Sequence, residues 1–317
     1  MVTVVIPCYN ASLYIKRCVE AFTAQTISDF KLIFVDDSST DDTFRILSQC
    51  KKDSCLDITI IRNEVNSGPA VSRNKGILAT STKYITFCDC DDWYEPNYLQ
   101  TMLNLLESNN GDIAFCGYKV VDENGNTEYR PLYIKTGVIT RDIVFTLDAD
   151  SLCMLMVKTE IMKDTLLPNL RNGEDIATVP LLMAKSQTFV VSKECLYNYF
   201  RRKGSASQLP TLKVVESLLS SFNYIKEHFQ NKNSKELEFL GIKNVLYSTI
   251  ITLFSIGYKK YYAKNILSEF ELNFPEWYKN PYISKLRLYK KIIVTLLYYR
   301  CFWGIRLISL MRNIVVK

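Results

Sequence analysis

Tyr84-Ile85-Thr86-Phe87-Cys88-Asp89-Cys90-Asp91-Asp92 runs five strand-like residues straight into a turn carrying three carboxylates. An apolar run without polar alternation reads as a strand covered on both faces, which is the pattern of a parallel sheet. The carboxylates then project from the strand's carboxyl end. Asp89 and Asp91, at i and i+2 on extended backbone, fall on one side, about 6 to 7 Å apart. Repulsion within such a pair is costly without a cation beside it. The alternative is an acidic loop capping the helix expected from Pro96.

Upstream of this stretch the chain repeats one theme. Val2 to Ile6, Phe30 to Val35 and Ile58 to Ile61 are apolar runs, separated by helical patterns from Asn10, Thr40 and Pro69. The repetition predicts βαβ units and a mainly parallel sheet sandwiched by helices. Asn10 is the cap candidate of the first helix, whose apolar positions Tyr14, Ile15, Cys18, Val19 and Phe22 line one face.

Downstream the pattern becomes mixed. Asp112 to Val121 is strand-like, Asn124-Gly125 signals a hairpin, and Thr127 to Ile134 is the return. A helix is expected over Thr140 to Leu147, extended chain over Leu152 to Val157, a helix over Glu174 to Lys185 and a strand at Phe189 to Val191. The domain is expected to end in the Ser/Gly-rich stretch Gly204 to Pro210. From Leu212 only helical patterns follow, over 212–230, 234–257, 260–272 and 283–311. The expected organisation is a domain at 1–210 and a helical extension at 211–317.

Composition narrows the chemistry. With 317 residues and 48% hydrophobic content the chain is globular and exceeds one usual core. Ten cysteines at irregular positions, without a Cys-x-x-Cys pair, suit buried thiols in a reducing compartment. His228 is the single histidine, so a multi-histidine metal site is excluded and any metal is held mainly by oxygen, favouring Mg²⁺ or Mn²⁺. No charged leader with an apolar stretch precedes Val2, and the chain reads as lacking a secretory signal.

Further candidates lie at matching positions. Asp36-Asp37 follows the run Lys31 to Val35, at the strand end where open α/β sheets bind ligands; by itself it could also be a polar loop with a helix cap. Asn66-Ser67-Gly68 offers a glycine at a loop-to-helix junction, which lets backbone approach a ligand. Arg73 serves either a diphosphate or the acidic residues themselves. Gly173-Glu174-Asp175 opens a helix, where carboxylates are ordinarily caps. Arg201-Arg202-Lys203-Gly204-Ser205-Ala206-Ser207 is a basic loop suited to phosphates or to a solvated linker. Asp148-Ala149-Asp150 has no strand before it and reads as a loop or cap.

Taken in order, Val4-Val5-Ile6-Pro7-Cys8-Tyr9-Asn10, Val35-Asp36-Asp37-Ser38-Ser39-Thr40-Asp41, Asn66-Ser67-Gly68, Ser72-Arg73-Asn74-Lys75-Gly76, Asp89-Cys90-Asp91-Asp92, Gly173-Glu174-Asp175 and Tyr199-Phe200-Arg201-Arg202 resemble family 2 glycosyltransferases of the GT-A fold, over about residues 1–207. The resemblance implies inverting transfer from a nucleoside diphosphate sugar, most often a UDP-sugar, assisted by Mn²⁺ or Mg²⁺. It implies that Pro7, Tyr9 and Asp36 line base and ribose, that Asp89 contacts ribose or sugar, that Asp91 holds the metal and that Asp175 is the base. Asn10, Asn66, Gly68, Arg73 and Arg201 complete the expected donor site. A base must deprotonate the acceptor hydroxyl on the face opposite the leaving diphosphate, which agrees with a carboxylate other than the metal ligand. The segment Leu152 to Lys158 departs from the family's pattern, and the Gln-x-x-Arg-Trp motif of processive members is absent. No histidine near 203 can act as a further metal ligand.

Charge is divided unevenly. Residues 1–210 carry 22 Lys/Arg against 26 Asp/Glu, while 211–317 carry 17 against 7. After Glu276 there is no acidic residue, and nine Lys/Arg alternate with Tyr298, Tyr299, Phe302 and Trp303. This suits the surface of an anionic membrane, whereas Arg300 and Arg306 interrupt the apolar run and argue against a span. A soluble packing helix is the alternative, since Arg300 falls away from the other charges. Nucleic acid is not the expected partner.

The expectation is an enzyme at the inner face of the cell membrane, cytoplasmic and peripheral, adding one sugar to a saccharide or lipid-linked acceptor. A non-catalytic nucleotide-sugar-binding subunit is the alternative. A sugar nucleotidyltransferase would need a glycine-rich loop where Pro7-Cys8-Tyr9-Asn10 stands.

Overall fold

The computed structural model describes residues 1–170, 172–202, 211–232, 234–257 and 260–315, with side chains to 309. The expected linker at Gly204 to Pro210 lies outside them, as does most of the basic loop from Arg201. Two compact units are distinguished: Met1–Asn169 with Leu182–Ser205, and Leu170–Leu181 with Ala206–Lys317. Residues 170–181, expected ahead of a boundary near 210, therefore group with the C-terminal helices.

In the first unit the elements are β1 (Val2–Cys8), α1 (Ile15–Thr23), β2 (Phe30–Asp36), α2 (Thr43–Asp53), β3 (Asp57–Arg62), α3 (Pro69–Ala79), β4 (Tyr84–Phe87), β5 (Trp93–Tyr94), α4 (Tyr98–Ser108), β6 (Ile113–Asp122), β7 (Thr127–Arg130), β8 (Gly137–Ile139), α5 (Arg141–Val144), β9 (Leu155–Lys158) and α6 (Thr159–Lys163). They are followed by α7 (Glu174–Lys185) and β10 (Phe189–Arg201). One sheet runs β3-β2-β1-β4-β9-β6-β10-β5, with β7 beside β6 and β8 beside β10.

The first four strands form the expected parallel block, in the register Cys8↔Asp36, Asp36↔Arg62 and Val5↔Phe87. This register brings the strand ends carrying Tyr9, Asp36 and Asp89 to one edge. Strand β9 then enters antiparallel between β4 and β6, making the sheet mixed. Continuous apolar runs are buried as expected: Val4, Val5, Ile6, Phe34, Ile85 and Phe87 have no exposed surface.

Three local readings change. The first helix starts at Ile15 and not at Asn10, which takes φ +48° and belongs to the loop. The helix expected over Thr140 to Leu147 is four residues long. The strand expected at Phe189 to Val191 continues to Arg201, with register shifts near Cys195. The hairpin stands: Gly125 N–H donates to Asp122 O at 3.0 Å and β7 returns along β6.

The second unit is helical: α8 (Leu212–His228), α9 (Lys235–Gly241) running through a π-helical segment (Ile242–Thr249) into α10 (Ile250–Ser255), α11 (Lys260–Asn273), α12 (Leu288–Tyr298) and α13 (Phe302–Val315). The run Lys235–Ser255 is long and apolar enough to cross a membrane, but 78% of its most apolar window is buried within the fold, as in a core helix. The single helix expected over 283–311 is broken. Arg300 sits at the break with φ +53° and pairs with Glu271 at 2.8 Å, which explains why its charge strays from the others.

Candidate active site

At the parallel edge the loops are tied to one another by side chains. Asp36 is fully buried; its carboxylate meets Arg62 Nε at 3.1 Å and accepts from Ser39 N–H at 3.2 Å. Arg62 is held in turn over the Phe44 ring at 4.5 Å. Asp37 organises the next loop, accepting from Asn63 Nδ2 at 2.6 Å, Ser67 N–H at 3.0 Å and Gly68 N–H at 2.8 Å. Gly68, with φ +88°, starts α3 immediately before Pro69, a backbone angle that a side chain would strain. Asn10 Oδ1 accepts from Thr40 N–H at 2.9 Å and joins the first loop to the second.

The acidic turn is bracketed by β4 and by β5, which pairs with β10 through Tyr94↔Tyr197. Its three carboxylates separate into three environments. Asp89 Oδ1 lies 2.7 Å from Arg73 Nη2; the arginine is nearly enclosed and the carboxylate 38% exposed. Of the two roles open to Arg73, the geometry displays the tie to the acidic residues. Asp92 is buried, accepting from the Tyr197 hydroxyl and from Phe200 N–H at 2.7 Å. Burial, then the charges of Asp89 and Asp91, pushes its pKa well up. Asp92 thus anchors the turn to β10.

Asp91 is different. Burial, then the neighbouring Asp89 charge, raises its pKa against the opposing Arg202, whose Nη2 is 3.4 Å away. Arg17 donates to the Asp91 carbonyl and stacks between Trp93 at 4.6 Å and Phe200 at 4.3 Å. Sequence reasoning missed it. Between Lys16 and Cys18 it reads as one more charged position on an amphipathic helix.

Not every candidate converges here. Arg202, and not the expected Arg201, approaches Asp91; Arg201 is exposed and pairs in register with Asp122. Arg201 is the last residue of β10, and Arg202 follows just past the strand's end. Tyr9 is 49% exposed and Asn66 is exposed, while Pro7 is half-buried on β1 opposite Val35. Asp175 is half-buried in the first turn of α7, within the second unit. His228 stacks on Tyr224 in α8.

Among the described residues no group of three or more His, Cys, Asp or Glu could hold a metal by itself. The donor set here is a single carboxylate, Asp91, which already faces Arg202 at 3.4 Å. A hard cation would take one oxygen from it, with phosphate and water oxygens needed for the remaining positions.

The profile of glycosyl transferase family 2 matches residues 3–158. Glycosyltransferase GlyA of Streptococcus pneumoniae is 28% identical over 237 residues, covering 70% of this chain but only 34% of GlyA, so the chain spans about a third of that relative. TuaG of Bacillus subtilis, named for teichuronic acid biosynthesis, is 30% identical over 201 residues, covering 63% of this chain and 78% of TuaG. The solved structure of S. aureus TarS 1-349 with UDP-GlcNAc superposes with TM-score 0.73 at 19% identity, covering 98% of this chain and 91% of that one. This last likeness concerns the fold, a GT-A mixed sheet with a helical C-terminal region.

Proposed function

The chain belongs to glycosyl transferase family 2, and from that premise we propose that this glycosyltransferase moves a sugar, with inversion, from a UDP-sugar or other nucleoside diphosphate sugar to a glycan or lipid-linked hydroxyl in cell-surface polysaccharide synthesis. The observation that supports the reading is the placing of Asp91, a largely buried carboxylate facing Arg202 at 3.4 Å in the acidic turn after β4, beside the strand ends that carry Tyr9 and Asp36. The pathway named for TuaG and the UDP-GlcNAc in the TarS structure support the acceptor class and the nucleotide.

In this reading Asp91 would hold Mn²⁺ or Mg²⁺ together with the donor's phosphates. The ion, when bound, supplies Lewis-acid stabilisation of the leaving diphosphate. Arg202, now 3.4 Å from Asp91, would meet phosphate charge, and Asp89, tied to Arg73 at 2.7 Å, would contact the donor. Asp175 takes the proton from the acceptor hydroxyl as its oxygen bonds the anomeric carbon; the bond from that carbon to the diphosphate breaks and its electron pair leaves with the nucleotide. Attack opposite the leaving group inverts the anomeric centre.

The basic helices suit peripheral docking on the inner face of the membrane. Tyr299, Trp303 and Leu307 are 73%, 74% and 53% exposed, on a segment without an acidic residue. The experiment is nucleotide release over a panel of nucleotide sugars, with acceptor and Mn²⁺ present, and the product anomer read by NMR. Retained anomeric configuration would refute inversion; no release with any donor would favour a binding subunit.

A further inference from the structure

We infer that Ser217 and Ser221 of α8 are positioning residues for Asp175; the inference rests on the base role proposed for Asp175. Gly173, two residues before it, has φ +87°, and its carbonyl accepts the first helical N–H, from Ala177 at 3.0 Å. It is therefore the residue that starts α7. The Ser221 hydroxyl lies 2.9 Å from that same carbonyl, and the Ser217 hydroxyl donates to Asn172 O at 2.6 Å. Two consecutive carbonyls leading into the Gly-Glu-Asp turn are thus held by two hydroxyls one helical turn apart.

The approach is close enough to demand glycine. A Cβ on Gly173 would stand 2.5 Å from Ser221 Oγ and 2.7 Å from Ser217 Oγ, and the positive φ would strain any side chain besides. Ser221 is fully buried, and its hydroxyl also lies 2.7 Å from Ser217 O, so its single hydrogen serves one acceptor at a time. The helix that carries the clamp is packed and capped. Val215, Leu218, Phe222 and Ile225 bury the same side of α8, and Thr211 caps its start. Asp175, in the first turn of α7, takes its direction from this junction. All of this lies in one unit, so the C-terminal helices contribute to aiming the base. Serines at i and i+4 on a helix carry no such meaning in the sequence alone.

The test uses the full chain and the donor selected by the nucleotide-sugar panel. Ser217→Ala/Ser221→Ala should lower kcat about 10- to 100-fold, the effect of a sub-ångström to ångström misplacement, while Kd for UDP with Mn²⁺ by calorimetry stays within about twofold. Ser217→Ala alone, at a half-exposed position where folding is not at stake, should lower kcat about threefold or more, a smaller loss of the same kind. Parallel loss of UDP affinity and kcat would mean a general structural role and overturn the inference. Wild-type kcat in the double variant, with Asp175→Asn inactive, overturns the inference alone. Wild-type kcat in Asp175→Asn overturns the base role and the inference with it.

Discussion

Arg73 Nη2 stands 2.7 Å from Asp89 Oδ1, joining the middle of α3 to the acidic turn after β4. The arginine is 5% exposed, so its charge depends on this neighbourhood more than on water. Arg73→Ala should destabilise the protein by about 2 kcal/mol, less than for a fully buried pair because Asp89 is partly solvated. Affinity for UDP with Mn²⁺ should fall as well. Denaturant unfolding and calorimetry measure both; wild-type values in each would mean the pair holds nothing in place.

Arg17 makes a comparable tie from the other side, through the Asp91 carbonyl and the Trp93 and Phe200 rings. Arg17→Ala should lower kcat/KM about 10-fold or more by loosening the turn that presents Asp91. Arg17→Lys should recover only part, since an ammonium cannot stack as the planar guanidinium does. Steady-state kinetics on the two variants distinguish this from a role in charge alone, in which lysine would restore full activity.

Asp112 gives a pH signature remote from the site. Burial works to raise its pKa, but the Lys158 ammonium at 2.7 Å, with Gln187 and Thr188 N–H groups, outweighs it and holds the carboxyl below its ordinary value of 3.8. A depressed carboxyl stabilises the fold above the unfolded-state pKa, and the contribution is lost as pH falls through the lower folded value. Asp112→Asn should cost about 2 kcal/mol at neutral pH, a gap that closes below about pH 4. A gap independent of pH would contradict the assignment.

The helical unit should bind vesicles containing phosphatidylglycerol and release them in salt, at about 1 kcal/mol per participating Lys or Arg. Trp303→Asp, at a 74% exposed site, should abolish sedimentation with vesicles and leave the fold unchanged. Arg300→Ala should matter little, because Glu271 already neutralises it. Equal binding to neutral vesicles would reject the electrostatic part.

Much of the parallel block was legible because its signals are local. Runs such as Phe30 to Val35 have the composition of doubly covered strands, and the second and fourth strands lead into acidic residues at the same edge. The antiparallel insertion of β9 was not legible, since Leu155–Lys158 reads as extended chain without announcing its partners. The site divides similarly. Asp89 and Asp91 stand out by spacing and Arg202 by its basic loop, whereas Arg17 and Tyr197 reach the acidic turn from distant parts of the chain and have no local mark. The end of β10 separates Arg201 from Arg202, and its register shifts near Cys195, neither of which a pattern in the sequence reveals.

The central claim is that Asp91 supports sugar transfer with a divalent ion. The direct measurement is nucleoside diphosphate release by wild type and Asp91→Asn, each titrated with Mn²⁺ after EDTA treatment, using the best donor of the panel. The account predicts saturable metal dependence in the wild type and a loss of about 100-fold or more in the variant at every Mn²⁺ concentration. Wild-type turnover by Asp91→Asn across the titration would contradict it.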